Sequence, residues 1–264
     1  MNNNRKLQMI FIALLIFTFA ISVVGFYGCG AENIKPVASA KDQLKRAMDL
    51  YNKKKYYKAE IEFQKFVYNY PGVGAVDTAQ FYLAMSYYKD KDYALAAGEF
   101  KRFLSSFPSS EFSDDAQYRL AMSHYHQSPS YPLDQTETYM AINGLISFLD
   151  TYPNSGYADS ASVHLQELRN KLSHKLFSTG RLYQKMGYYD PAIMYYNKLL
   201  EDYPNSPFAE ESVFRAGECY LKLEKYIPAR EKLLSYVDSY KNGKFHKKAV
   251  SLLRKIEDIK KAEN

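Results

Sequence analysis

One spacing constrains this chain more than any other feature: an aromatic–proline step that returns at near-regular intervals. Pro71, Pro108, Pro153 and Pro204 follow Tyr70, Phe107, Tyr152 and Tyr203, and a fifth copy keeps Tyr240 but has Lys241 in the proline's place. Twelve residues before each site stands an alanine: Ala59, Ala96, Ala141, Ala192 and Ala229. Eight before come Phe63, Phe100, Leu145, Tyr196 and Leu233, and five before come Phe66, Phe103, Phe148, Leu199 and Tyr236. The sites lie 37, 45, 51 and 37 residues apart, so on a unit of 37 the two longer gaps hold insertions of 8 and 14. A fixed period in this range belongs to stacked repeats, which grow in one dimension and bury each face against the next unit.

From residue 40 onward the apolar positions follow a helical period and no β-alternation persists. Each unit reads as helix A, a short turn, helix B and the aromatic–proline stop. Unit two is clearest: Leu83, Ala84 and Tyr87 share one face of helix A, and Tyr93, Ala96, Phe100 and Phe103 follow in helix B before Pro108. These offsets match the tetratricopeptide signature. A small residue at the A/B crossing lets two helices approach closely, and large residues fill the space around it. Proline then stops helix B, because it lacks the N–H and restricts the residue before it. The small residue of helix A recurs as Ala47, Ala84, Ala121, Gly180 and Gly217. In unit three it precedes the helix-B alanine by twenty residues instead of twelve, which puts an 8-residue loop around Gln127 to Gln135, where Pro129 and Pro132 exclude helix. The other excess lies before unit four, where Tyr157 to Met186 reads as one helix of about 30 residues. Six residues past each proline sits an acid (Asp77, Asp114, Asp159, Glu210), placed to complement the dipole of the next helix A. A basic amphipathic helix from Lys244 to Ala262, with Phe245, Val250, Leu253 and Ile256, closes the array. The expected fold is all-α, a tetratricopeptide superhelix of five helix-turn-helix units with a C-terminal capping helix.

The N-terminus bears on compartment. Arg5 and Lys6 precede an apolar run from Met9 to Phe26, the pattern of an export signal. Its ~18 residues also reach the lower bound for a membrane-crossing helix. Gly28 directly before Cys29 favours a third possibility, a lipoprotein signal in which cleavage leaves Cys29 as a lipidated N-terminus, although Phe26 stands where an aliphatic residue is usual. The expected organisation is therefore a signal peptide at 1–28, a lipidated linker at 29–39, units one to three at 40–155, and the long helix, units four and five and the capping helix at 156–264. Loss of residues 1–28 removes Arg5 and Lys6 and takes the net charge from +6 to +4. That modest charge, with no long basic run, argues against nucleic acid as a partner. Cys29 and Cys219 are the only cysteines, too few for a disulfide framework, and Cys219 falls in a helical pattern as a small core residue.

No catalytic chemistry is legible. There is no phosphate-binding glycine loop, metal-ligand spacing or nucleophile elbow, so no enzyme activity, cofactor or metal is expected. His124 and His126, two apart on a helix, face different ways and have no carboxylate beside them in sequence. Function is then expected on the surface that helices A expose. In units one to three that surface is Lys41, Lys45, Met48, Tyr51, Phe81, Tyr82, Met85, Tyr88, Tyr118, Arg119, Met122 and Tyr125. Aromatic and Met-rich with a few cations, it suits an extended or helical peptide carrying aromatic side chains. The same tyrosines also suit packing between units. Units four and five offer Arg181, Lys185, Arg215 and Lys222, a more basic surface fit for a folded acidic partner.

The Cys at the end of the apolar run, the short linker, five tetratricopeptide units, the loop inside unit three and the long helix before unit four together resemble the BamD (ComL/YfiO) family of outer-membrane assembly lipoproteins. The more specific pieces are residues 152–161 (Tyr-Pro-Asn-Ser-Gly-Tyr-Ala-Asp-Ser-Ala), 168–172 (Leu-Arg-Asn-Lys-Leu) and 201–206 (Glu-Asp-Tyr-Pro-Asn-Ser). The resemblance implies a lipid-anchored protein on the periplasmic side of the outer membrane, within the machinery that folds β-barrel proteins there. It implies that the N-terminal units bind unfolded outer-membrane proteins and that the C-terminal half docks the POTRA domains of a BamA-like barrel subunit. A second reading is another cell-envelope tetratricopeptide scaffold serving peptidoglycan or division machinery. Such scaffolds often carry an N-terminal coiled coil, and no heptad block precedes unit one.

Overall fold

A computed structural model describes residues 39–263, and the expectations for residues 1–38, Cys29 included, lie outside them. Eleven α-helices and no strand occur among the described residues. They pair as α1 (Ala40–Asn52) with α2 (Tyr56–Asn69), α3 (Val76–Lys89) with α4 (Tyr93–Ser106), and α5 (Ser113–Gln127) with α6 (Thr136–Thr151). Next come α7 (Ala158–Lys185) with α8 (Tyr189–Asp202), α9 (Ala209–Lys222) with α10 (Tyr226–Ser239), and the closing helix α11 (His246–Glu263). Each helix packs mainly on the one before and the one after it, which is the contact pattern of a linear stack. This is the tetratricopeptide superhelix that the spacing predicts. Among the described residues no helix is long and apolar enough to cross a membrane.

The repeat core follows the periodic positions. Ala47, Ala84 and Ala121 of helices A and all five helix-B alanines have no exposed surface. Phe63, Phe100, Leu145, Tyr196 and Leu233 are likewise fully buried. In units four and five the helix-A position is glycine for a visible reason. A Cβ on Gly180 would meet the Tyr196 ring at 2.8 Å, and one on Gly217 would meet Leu233 at 2.9 Å. Cys219 is fully buried as a core residue, and burial pushes its thiol up to about 12.

Helix B ends at the aromatic step in every unit, and the proline is not essential to that. Tyr70, Phe107, Tyr152, Tyr203 and Tyr240 leave the α region with φ between −138° and −123° and ψ between 49° and 61°. Tyr240 takes the same conformation with Lys241 behind it, so the aromatic residue is itself a cap. Its ring packs one turn back on Tyr236 (5.3 Å between centroids), as Tyr70 does on Phe66 and Phe107 on Phe103. The four short turns from helix A to helix B each use one left-handed residue: Lys54 (φ 57°), Lys91 (φ 68°), Gly187 (φ 79°) and Glu224 (φ 57°). Only unit four supplies the glycine that makes this conformation free of strain.

Both irregular spacings have their expected forms. The insertion in unit three is the loop between Gln127 and Thr136, and the extra residues before unit four extend α7 to 28 residues, about 42 Å. The loop packs back onto α7. Lys175 Nζ donates to the Leu133 carbonyl at 2.6 Å, Lys171 Nζ lies 2.7 Å from Ser128 Oγ, and the Tyr131 ring lies 3.9 Å from that of His174. The closing helix covers unit five, with Phe245 stacked on Phe214 at 4.6 Å and Ala249 and Ile256 buried.

The acids six residues past the proline sites do more than face a helix dipole. Asp77 accepts from Ser110 Oγ (2.8 Å) and Asp114 from Ser155 Oγ (3.0 Å), each serine lying in the proline turn that leads from the acid's own unit into the next. Glu210 accepts from Tyr236 Oη (2.7 Å) and from the Lys244 N–H (3.0 Å). They therefore clamp successive units together.

Candidate functional site

Helices A touch one another in sequence, α1 with α3, α3 with α5 and α5 with α7, and form the inner layer of the first half of the array. Four of the twelve side chains expected to line this face are instead buried: Phe81, Met85, Tyr118 and Met122. The cause is a ring ladder between units. Phe81 stacks on Phe112 at 4.6 Å, Tyr118 on Tyr157 at 4.6 Å, Phe177 on Phe208 at 5.1 Å and Phe214 on Phe245 at 4.6 Å. In each pair the second ring sits immediately before or at the start of the next helix A, so the first cannot face solvent. Phe81 and Tyr118 are joints of the stack, and Met85 and Met122 fill the core beside them.

The remaining positions separate into two groups. Lys41 and Lys45 are exposed on α1, and Met48 is half-buried against the unit-one core. Tyr51, Tyr82, Tyr88, Arg119 and Tyr125 are half-buried in a stripe, with Tyr51, Tyr82 and Tyr88 packed on one core cluster and Tyr88 and Tyr125 on the next. Tyr51 meets Tyr82 edge-on at 5.1 Å. The Arg119 guanidinium lies 5.4 Å from the Tyr88 ring, 5.5 Å from Tyr118 and 5.2 Å from Tyr157. Its Nε donates to Asp115 Oδ1 at 2.9 Å. Burial disfavours the Arg119 charge, yet Asp115 and the Tyr157 and Tyr88 hydroxyls more than offset it, and the pKa rises. The stripe thus holds one permanent cation framed by three aromatic rings.

Residues outside the expected set complete this face. His126 accepts or donates to the Tyr88 hydroxyl at 3.1 Å and stacks on Tyr93 at 4.5 Å. Burial, then His164 and Arg119, hold the His126 pKa below its ordinary value. Tyr125 Oη donates to Glu167 at 2.7 Å, and Glu167 also lies 3.0 Å from His164 Nδ1. His124, without a carboxylate neighbour in sequence, meets Glu137 at 2.7 Å because the unit-three hairpin brings α6 against α5. Burial raises the phenols of the stripe, Tyr51 to about 12 with help from Tyr56 and Tyr82, and Tyr125 to about 12 with help from Glu167. They remain neutral hydrogen-bonding groups at physiological pH. Among the described residues, no cluster of three or more His, Cys, Asp or Glu side chains is placed to hold a metal.

In the second half, Lys185 and Lys222 are exposed as expected. Arg215 is not a free cation, since it pairs with Glu211 one turn earlier and reaches Gln184 at 3.5 Å. Arg181 is half-buried, its guanidinium 5.7 Å from the Phe177 ring. The basic surface there is narrower than four charges.

A protein of Rickettsia prowazekii called outer membrane protein assembly factor BamD is 25% identical over 260 residues, covering 96% of this chain and 100% of that protein. The protein of the same name from Xylella fastidiosa strain Temecula1 is 36% identical over 90 residues, and the match spans only 34% of this chain and 31% of that relative. The Neisseria meningitidis protein of that name is 32% identical over 94 residues, 36% of this chain and 34% of its own length. Among solved structures, the TPR2AB-domain:pHSP90 complex of yeast Sti1 has 10% identity and a TM-score of 0.44, covering 77% of this chain and 78% of that one. TTC0263 from Thermus thermophilus has 15% identity and a TM-score of 0.35, covering 81% and 99%. At those scores the likeness adds nothing to the fold read from the helices themselves. Residues 37–234 match the family described as YfiO, outer membrane lipoprotein, across all five repeat units up to the middle of α10. With the unit-three loop and the long α7 in their places, the chain belongs to the YfiO family of outer membrane lipoproteins.

Proposed function

We propose that this chain is a non-enzymatic scaffold of the outer-membrane β-barrel assembly machinery, anchored on the periplasmic side of the outer membrane through a lipid on Cys29. The stripe on helices A of units one to three receives segments of unfolded outer-membrane proteins. The C-terminal half docks a BamA-like barrel subunit through its POTRA domains, with Lys185 and Lys222 as the exposed cations and Arg181 and Arg215 behind them. The observation that carries the first assignment is the Arg119 guanidinium set among the Tyr88, Tyr118 and Tyr157 rings, a permanent cation in an aromatic frame. Barrel strands are rich in aromatic side chains, which such a frame accepts by edge contact and through phenol hydrogen bonds.

Arg119→Gln keeps the stem and removes the charge. Binding of a labelled peptide from the last strand of a barrel protein, followed by fluorescence anisotropy, is expected to weaken about threefold to tenfold, the range of a partly desolvated cation–π contact. Circular dichroism should stay unchanged. An affinity equal to that of the parent chain would remove Arg119, and with it the stripe, from the binding site.

A further inference from the structure

The turn of unit one carries a charge that no other helix-A-to-helix-B turn carries. Lys53, Lys54 and Lys55 join α1 to α2, and α2 opens with Tyr56, Tyr57 and Lys58. All four lysines are exposed, and among the described residues none of the ion pairs involves them. Asp49, one helical turn before Lys53, makes no pair with it, and Glu60 beyond Lys58 is buried. The equivalent turns elsewhere are compensated. Unit two alternates Lys89 and Lys91 with Asp90 and Asp92. Unit five places Glu224 between Lys222 and Lys225, and Lys225 pairs with Asp190 of unit four at 2.8 Å. In unit three the loop carries Asp134, and Glu137 stands in the first turn of α6.

Two tyrosines follow the lysines with opposite roles. Tyr56 is held edge-on against Tyr51 at 5.5 Å, which ties the turn to the inner stripe. Tyr57 is 65% exposed. A basic turn with an outward phenol matches the water–lipid boundary, where tyrosine sits at headgroup level and lysines meet anionic phosphates.

We infer that this turn is a second membrane contact, binding the anionic headgroups of a phospholipid surface. The inference rests on the lipid-anchor reading only for bringing the surface within reach. The family is one of outer membrane lipoproteins, and the chain enters the array at Ala40, the start of α1. Over its 13 residues α1 spans about 20 Å, so the lysine turn lies that far from the entry point. The segment from residue 30 to residue 39 extends to at most about 35 Å, enough for the turn to lie on the surface that holds Cys29. Charge complementarity favours lipid over a folded acidic protein, because the four charges stand on one short turn and the first turn of α2, beside an outward phenol.

The test is co-flotation with vesicles, using a chain that begins at Gly30 and so lacks the anchor. It retains every described helix and all the core clusters. Phosphatidylcholine–phosphatidylglycerol vesicles should carry the protein at low salt and release it at high salt, and pure phosphatidylcholine vesicles should not carry it. Replacing Lys53, Lys54, Lys55 and Lys58 by Gln should lower the partition coefficient by about two to three orders of magnitude, at up to roughly fivefold per lysine. Replacing all four by Arg should restore it. Equal flotation of the Gln variant, or binding indifferent to phosphatidylglycerol, overturns the inference. The anchor is tested separately by fractionating cells that carry Cys29→Ala, so failure of one reading does not mimic failure of the other.

Discussion

Gly180→Ala probes the repeat core at its tightest crossing. The added Cβ would stand 2.8 Å from Tyr196 Cε1, 3.0 Å from Cδ1 and 3.2 Å from Cζ. The ring has nowhere to retreat, since Tyr196 is fully buried and its hydroxyl donates to Gln184 Oε1 at 2.8 Å. Overpacking of this kind costs about 1–3 kcal/mol. Replacing a mid-helix glycine by alanine returns about 1 kcal/mol of helix propensity. The net expectation is a loss of up to about 2 kcal/mol, or a melting point lower by up to about 4–8 °C for an array of this size. Unit two shows which partner would relieve the strain, because it pairs Ala84 with Phe100 at the same two positions and both are fully buried. In a Tyr196→Phe background the hydroxyl tether is gone, the ring is free to shift, and the alanine should be tolerated better. Denaturant and thermal unfolding of the four chains of this cycle give the coupling directly. A Gly180→Ala chain that is more stable than the parent by the full helix gain would refute the close approach, and with it the steric basis of the repeat.

Lys91→Gly relieves a left-handed lysine and should raise stability by about 0.5–1 kcal/mol in denaturant titrations, where a loss would show that the turn is not strained. At alkaline pH the folded chain should weaken. Folding raises Tyr51 and Tyr125 from 10.0 to about 12 and Cys219 from 9.0 to about 12, so the unfolded chain releases protons that the folded chain retains. The sign is a stability intact below about pH 9 and lost progressively between 9 and 12, readable as a falling melting point; a constant one would contradict the burial of these groups. In a Cys29→Ala chain, Cys219 should resist thiol reagents at pH 8 until the protein is unfolded, and rapid labelling of the native chain would place it outside the core.

The parts of the fold that could be read directly were those fixed by steric identity at constant spacing. Alanines twelve residues before each stop, and large side chains eight and five before it, meet at one helix crossing, so their burial follows from the register alone. The insertion loop and the long α7 were legible because prolines punctuate one and are missing from the other. The ring ladder was not read, although its signal was present: Phe112, Tyr157, Phe208 and Phe245 each stand four residues past a proline site. Without it, Phe81 and Tyr118 look like groove residues, since helical periodicity separates faces of one helix and says nothing of a ring arriving from the next unit. The same limit hid Tyr157 from the frame of Arg119, Glu137 from His124 and Glu167 from Tyr125. These pairs bridge 13 to 42 residues and depend on how one helix seats on another.

The acids illustrate the opposite case, in which position was legible and purpose was not. Their regularity placed Asp77, Asp114 and Glu210 in the first turn of helix A, where a dipole argument suffices. Their hydrogen bonds to the turns that lead out of their units add a junction that only the stacked geometry reveals. The proline sites change meaning in a similar way. Tyr240 stops its helix without a proline, so the aromatic residue is the common element of the cap.

The central claim is that this chain serves the assembly of β-barrel proteins in the outer membrane. Depletion of the protein in its own cells, followed by quantitative mass spectrometry of the outer membrane and of proteins that co-purify with it, tests that claim most directly. The account predicts that barrel proteins fall together while lipoproteins of other functions hold steady, and that a barrel subunit bearing POTRA domains co-purifies. Unchanged barrel levels, with no such subunit recovered, would contradict it.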